Sequence, residues 1–255
     1  MKCPQDMIAG SVFHTKCGEL FILKYTSYNN VLVKFKETGH QRIAESSHIR
    51  SGRVRDPMLP SVYGVGFIGV GDYKSKNGSK NTREYDSWSH MMTRCYDANY
   101  KAKKETYSEC TVCEEWHNFQ NFAEWYHNNY PADGEKYCLD KDLKVIGNKV
   151  YSPDMCMFVS NLVNVFITDS GKTRGSHPIG VTKTPGGRFV ARCSNPIAGS
   201  SDYLGTFDSE LNAHLEWRRK KSEIASLLMI NSSRSEEIYG LSNYKSALDN
   251  FDIHN

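Results

Sequence analysis

Between Tyr137 and Asn164 the chain sets carboxylates, amides and turn-forming residues in one short span: Asp140, Lys141, Asp142, Asn148, Asn161 and Asn164. Tyr137-Cys138-Leu139-Asp140 is a short apolar run that ends in a carboxylate, and Ile146-Gly147-Asn148 signals a turn or a compact loop. Val150-Tyr151 reads as a second short strand. Ser152-Pro153-Asp154 predicts a helix start with Pro at the first helical position, and Met155, Phe158, Val159, Leu162 and Val163 follow at helical spacing. The order is strand, loop, strand, helix. A carboxylate closing the first strand and an amide on the helix can meet across such a unit. Together they suit a hard divalent cation, Mg2+ or Mn2+, which takes oxygen ligands and keeps positions open for water and phosphate. Asp140 fits the first role and Asn161 or Asn164 the second, with Asp142 placed to ligate or orient. Without a cation, the same residues read as a surface hairpin with solvated charges, a turn at Asn148 and Asn161 on a wet helix face.

The ordered set LDKD, GN, YSP, Cys156 and a late asparagine resembles the HNH (ββα-metal) nuclease motif in its phage-type form. The resemblance implies metal-dependent phosphodiester hydrolysis, with Asp140 at the metal-binding position, Asn148 at the loop asparagine, and Asn161 or Asn164 at the last ligand. Lys141 stands where that family carries its general-base histidine. An ammonium accepts no proton unless burial or neighbouring charge depresses its pKa. His90, His117 and His127, on segments that precede the motif, are imidazoles that could supply the base, and each also reads as an ordinary surface or capping histidine. Lys141 therefore sets an alternative beside the endonuclease: a catalytically inactive, sequence-specific DNA-binding protein on the same scaffold.

A Gly/Ser/Lys-rich joint from Thr168 to His177 marks a boundary. Strand cues follow at Ile179-Gly180-Val181, Arg188 to Cys193 and Asp202 to Phe207, and then a helix with Asp208 as N-cap running through Trp217 to Leu228. Alternation puts Arg188, Val190 and Arg192 on one sheet face and Phe189, Ala191 and Cys193 on the face toward the helix. The residues GVTKTPGGRFVARC and YLGTF, followed by the helix, look like the ethylene-response-factor (APETALA-type) DNA-binding domain, which also accompanies phage and bacterial HNH homing endonucleases. That resemblance implies a sheet laid in the major groove of duplex DNA, with Thr182, Thr184, Arg188, Arg192, Tyr203 and Thr206 at the DNA-facing positions. An RNA target fits less well, because the deep, narrow major groove of A-form RNA does not admit such a sheet.

The elements that must position these residues are those of an α+β, multi-domain chain. Residues 1–62 read as a small β module, with alternating strands around Leu20 to Tyr25 and Val31 to Phe35 and turns at Asn29-Asn30 and Thr38-Gly39. Its last segment is basic through Arg42, His48, Arg50, Arg53 and Arg55, and suits either a phosphate backbone or a solvated connector. The glycine-rich stretch from Gly64 to Gly71 lacks the strand-to-helix setting of a nucleotide loop, and with Lys74, Lys76 and Lys80 it reads as a flexible basic linker. Residues 63–168 form the nuclease-like domain, where helices over Glu84 to Asp97 and Cys113 to Asn128 carry an aromatic stripe that buttresses the ββα unit. Residues 176–230 form the three-stranded antiparallel sheet plus helix. Residues 231–255 are a polar tail that fits disorder or a short docking helix.

Net charge is +3 with a pI near 8.3, so nucleic-acid binding rests on local patches rather than on the whole molecule. No apolar run is long enough for a membrane span and the first residues lack a secretory signal, so the expectation is a cytoplasmic protein, in the host cell if phage-encoded. Nothing calls for a membrane or a small-molecule cofactor. The eight cysteines then read as reduced. Cys110 and Cys113 have the spacing of half a zinc site, with Cys95, Cys138 and Cys156 the available partners and Cys95 and Cys156 the favoured pair for a structural Zn2+ centre, though buried apolar cysteines explain the pattern equally well.

Overall fold

Alternating apolar residues in Leu20, Ile22, Val31, Val33 and Phe35 give the N-terminal strands one buried face. The computed structural model, which describes residues 3–168 and 177–250, places them in an antiparallel sheet of β1 (Val12–Thr15), β2 (Gly18–Ser27), β3 (Asn30–Phe35) and β4 (Gln41–Ala44), paired in sequence order. A short helix α1 (Ser46–Arg50) closes the core through Ile49, with Met7 and Val54. The joint expected from Thr168 to His177 lies outside the described residues except at its two ends. The chain is α+β and divides into two compact units, Met1–Glu105 with Val112–Glu124, and Thr106–Thr111 with Trp125–Asn255.

The glycine-rich stretch does not behave as a flexible linker. A Cβ on Gly66 would meet Trp88 and Met92, one on Gly69 would meet Asn118, and one on Gly71 would meet Gln120, all within 3.0 Å. These glycines are required because the backbone lies directly on neighbouring side chains. Gln120 fastens the segment further, accepting from the Tyr73 N–H and donating to the Ile68 and Tyr73 carbonyls. Lys76 and Lys80 lie in a small hairpin of β5 (Lys76–Asn77) and β6 (Lys80–Asn81). Helix α2 (Arg83–Tyr96) is capped by Thr82 and buries Trp88, Met91, Met92 and Cys95, the face its spacing predicts. After α3 (Ala98–Lys103) and β7 (Thr111–Val112), the helix expected from Cys113 is broken. A 3-10 turn over Glu114–His117 precedes α4 (Phe119–Asn129). The break follows from Phe67, whose N–H donates to the His117 carbonyl while its own carbonyl accepts from Phe119.

The second unit carries β8 (Tyr137–Asp140), β9 (Val150–Tyr151), β10 (Met157–Ser160), α5 (Asn161–Ile167), β11 (Val181–Lys183), β12 (Phe189–Asn195), β13 (Ser200–Phe207), α6 (Glu210–Asn231) and α7 (Ser235–Asp249). The helix expected from Ser152 begins only at Asn161, because Met157 to Ser160 pair antiparallel with β8 instead. Phe158 packs tilted on Trp125 and edge-on to Tyr126 and Tyr130, so cross-strand pairing and aromatic burial override the helical spacing. The buttress for this hairpin is thus the C-terminal part of α4. Strands β11, β12 and β13 form an antiparallel three-stranded sheet, with Val181, Ala191 and Cys193 turned inward and Ala213 of α6 packed on Val181 and Ala191. Ser209, one residue beyond the expected Asp208, caps α6 by accepting from Asn212, since Asp208 is engaged with Arg188.

The tail forms α7, which buries Leu241, Tyr244, Ala247 and Leu248. The β8–β10 pair, α5, α6 and α7 share one core that includes Leu143, Met157, Val163, Phe166, Trp217, Leu228, Leu241 and Tyr244. The segments that the sequence divides at 168, 176 and 231 are therefore packed together. Gly240 makes this approach feasible, since a Cβ there would meet Leu143 at 2.7 Å.

Candidate metal centre and basic sheet face

Asp140 ends β8, opposite Met157. Its Oδ1 accepts from the backbone N–H of Asp142 at 3.1 Å and of Leu143 at 2.7 Å, which turns the chain sharply out of the strand. Burial, with the Asp142 charge beside it, pushes the Asp140 carboxyl up to about 7 despite those two donors. A carboxyl so raised is short of positive charge.

Lys141 does not face an open site. It is 7% exposed, and its Nζ donates to Asp142 Oδ2 and to the Asn148 carbonyl, both at 2.9 Å. Burial alone would lower its pKa, but the Asp142 charge and hydrogen bond, with Cys110 and Asp140, outweigh that and raise it. Its ammonium is held as a tie within the loop. Asn148 completes the brace: its Nδ2 donates to the Lys141 carbonyl at 2.6 Å and to the Val150 carbonyl at 2.8 Å, and its Oδ1 accepts from Val150. The loop from Asp140 to Val150 is thus cross-tied by Lys141 and Asn148, and Asp142 is one of the ties.

Ser160 caps α5 by accepting from Val163 at 3.3 Å. Asn161 is the first residue of the helix and exposed, whereas Asn164, one turn on, is half-buried beside the buried Val163. Because Ser160 pairs with Tyr137, α5 starts at the opposite end of the hairpin from Asp140, roughly 10 Å away at ~3.3 Å per residue. Among the described residues, no three His, Cys, Asp or Glu side chains stand together as a metal cluster. No disulfide joins the cysteines among the described residues, and burial raises the Cys113 thiol. The charged side chains beside Asp140 are the Asp142 carboxylate and the Lys141 ammonium.

No family model, curated protein or solved structure matches the chain. The site therefore rests on its own geometry.

Of the three histidines, His117 Nε2 lies 3.2 Å from the Tyr96 hydroxyl and 3.1 Å from the Val112 carbonyl, a structural placement within the first unit. His90 and His127 are exposed. In the second unit, three tail residues matter that the sequence alone does not single out. Glu237 is 5% exposed and accepts from the Ser160 N–H at 2.6 Å and from the Ser232 hydroxyl at 2.8 Å. Arg234 donates to the Phe158 carbonyl at 2.7 Å and lies 4.6 Å over the Tyr137 ring, and Asn243 donates to the Lys144 carbonyl. Together they fix β8, β10, the start of α5 and the Asp140 loop. Their signal was present as Ile238, Leu241, Tyr244 and Leu248 at near-helical spacing behind an acidic first turn.

The expected DNA-facing residues of the C-terminal sheet do come together. Thr182 pairs with Val190, Val190 with Thr206, and Arg192 with Tyr203. Thr182, Arg188 and Arg192 are exposed, and Tyr203 is 57% exposed. The Arg192 guanidinium lies 5.5 Å from the Tyr203 ring, whose hydroxyl shares a 2.8 Å hydrogen bond with Thr206. Thr184 ties off the β11–β12 turn through Arg188. Arg188 also donates to Asp208 and to the Thr206 carbonyl, so its charge is partly answered at the sheet's edge.

Proposed function

We propose that the chain is a divalent-metal-dependent DNA endonuclease of the HNH homing type, with a nuclease-like hairpin and helix and an APETALA-type sheet that positions it on duplex DNA. The observation that carries this reading is the geometry at Asp140: a half-buried carboxyl at a strand end, turned by the Asp142 and Leu143 N–H groups into a loop cross-tied by Asn148, with burial and the Asp142 charge raising its pKa. A divalent cation beside it would answer that charge deficit. Mg2+ or Mn2+ would be held by Asp140, whose Oδ1 is already spent on the turn, and by water, with Asn161 or Asn164 the helix ligand that the resemblance implies, on a helix that starts at the other end of the hairpin. When bound, the cation supplies Lewis-acid stabilisation of the scissile phosphate and leaving oxygen. Lys141 and Asn148 hold the loop in shape and take no proton. Thr182, Arg192, Tyr203 and Thr206 offer a duplex-facing surface, with Arg188 at its margin.

The second reading, a DNA-binding protein without catalysis, is favoured by one observation. Lys141 occupies the family's base position as a buried, engaged ammonium. No helix among the described residues is long and apolar enough to cross a membrane. We place the activity in a cytoplasm, where the cysteines would stay reduced. Incubating supercoiled DNA with the protein and Mg2+, Mn2+ or EDTA tests the proposal. Metal-dependent nicking supports it, and binding without cleavage in any metal supports the second reading.

A further inference from the structure

We propose that the N-terminal unit carries a second nucleic-acid contact, a phosphate-binding rim at the β4–α1 edge, independent of the C-terminal sheet. The inference rests on the reading of the chain as a duplex-DNA binder and adds a surface to it. A cavity of about 390 Å³ lies at this edge, lined in part by Arg42, Ile43, Glu45, His48, Arg53 and Arg55. Arg42 Nη1 donates to the Arg55 carbonyl at 2.9 Å, which draws the segment after α1 back toward β4 and sets the side chains of both on one rim. The Arg53 side chain donates from Nε to the neutral Ser51 hydroxyl.

Among the described residues, Arg42, Arg53 and Arg55 have no carboxylate partner. Arg50, on the same stretch, is spent on Asp6 through two hydrogen bonds of 2.7 and 3.0 Å. Of the lining residues only Glu45 is acidic. Arg42, His48, Arg53 and Arg55 are all exposed, so the rim faces solvent. Three unanswered guanidinium groups on an exposed rim are a poor arrangement for an apolar ligand. They match a polyanion whose phosphates cross the edge in succession, each offering the fork geometry that arginine binds.

The test is duplex binding by the full chain across a salt series, followed by fluorescence anisotropy. Removal of one phosphate-neutralising cation should lower the slope of log affinity against log salt by about 0.9. The variant Arg42→Gln/Arg53→Gln/Arg55→Gln should therefore lose roughly 2 to 3 from that slope. The corresponding triple lysine variant should keep most of it, which separates missing charge from a loosened strand edge. Arg188→Gln/Arg192→Gln should lower the slope separately, and the two effects should add. A glutamine triple variant with wild-type slope and affinity and an unchanged circular-dichroism spectrum overturns the inference and leaves the sheet as the DNA surface. Inorganic phosphate shifting the His48 ring signals while the glutamine variant keeps its duplex slope would also overturn it, marking a free-phosphate site. If the wild-type chain binds no duplex, the proposed function fails and this contact fails with it.

Discussion

Asp140→Asn should make the metal-free protein more stable at alkaline pH while removing any metal-dependent activity. The carboxyl rises from an ordinary 3.8 to about 7 in the fold, because burial and Asp142 disfavour its charge. A group raised in this way contributes its full stability below the unfolded value and loses it as pH climbs through the folded value. The wild type should therefore lose stability between about pH 4 and pH 7 from this residue, and stay lower above that range. About three tenfold steps at 1.36 kcal/mol each amount to roughly 4 kcal/mol at pH 8. Asparagine keeps an oxygen to accept from Asp142 and Leu143 and carries no charge, so the variant's profile should lack that decline. Thermal or urea unfolding of both proteins at pH 5 and pH 8, in EDTA, measures the difference. Mg2+ should then recover stability at pH 8 in the wild type and not in the variant. Parallel stability profiles, with the variant weaker by the same amount at both pH values, would refute the assignment of Asp140 as a desolvated, charge-deficient carboxyl.

Lys141→His should not activate cleavage, because an imidazole there replaces an ammonium that ties Asp142 to Asn148. A loss of about 1.5–3 kcal/mol in unfolding free energy is expected from charged hydrogen bonds of this kind, and a faster nicking rate would contradict it. Glu237→Leu should lower metal-dependent cleavage by freeing the Ser160 N–H at the start of α5, with Glu237→Gln restoring most of the rate. Metal titrations of both variants distinguish a displaced helix from a general loss of fold. Arg192→Gln should weaken duplex binding and reduce its salt slope by about 1, and more than Arg188→Gln does, since Arg188 is already paired with Asp208.

Much of the fold was legible because its periodicities are unambiguous. The period-two face of Phe189, Ala191 and Cys193, the helical stripe of Trp88, Met91, Met92 and Cys95, and the alternation in β2 and β3 all stand where spacing puts them. The sequence misled where a short apolar run satisfied two periods at once. Met157 to Ser160 suits a helix or a strand, and pairing with β8 and packing on Trp125, Tyr126 and Tyr130 decided for the strand. The glycines from Gly64 to Gly71 read as flexibility because sequence does not display the side chains that press on them. At the candidate site the sequence marked Asp140 as the carboxylate that ends a strand and Asn148 as a turn residue, and the turn that Asp140 makes and the ties that Asn148 makes were not read. The burial of Lys141 and the reach of Glu237 from the tail could not be read, since both depend on contacts between residues far apart in the chain or on the depth of the loop.

Cleavage of supercoiled DNA by the wild type and Asp140→Ala, each with Mg2+, Mn2+ or EDTA and with duplex binding measured alongside, tests the central claim most directly. Loss of the one carboxylate ligand should empty a sparsely held cation site while leaving the sheet face untouched. The account predicts nicked or linear product from the wild type with metal, none in EDTA, and none from Asp140→Ala despite near-normal binding. Undiminished cleavage by Asp140→Ala would put the metal elsewhere, and duplex binding without cleavage in any metal would contradict the endonuclease.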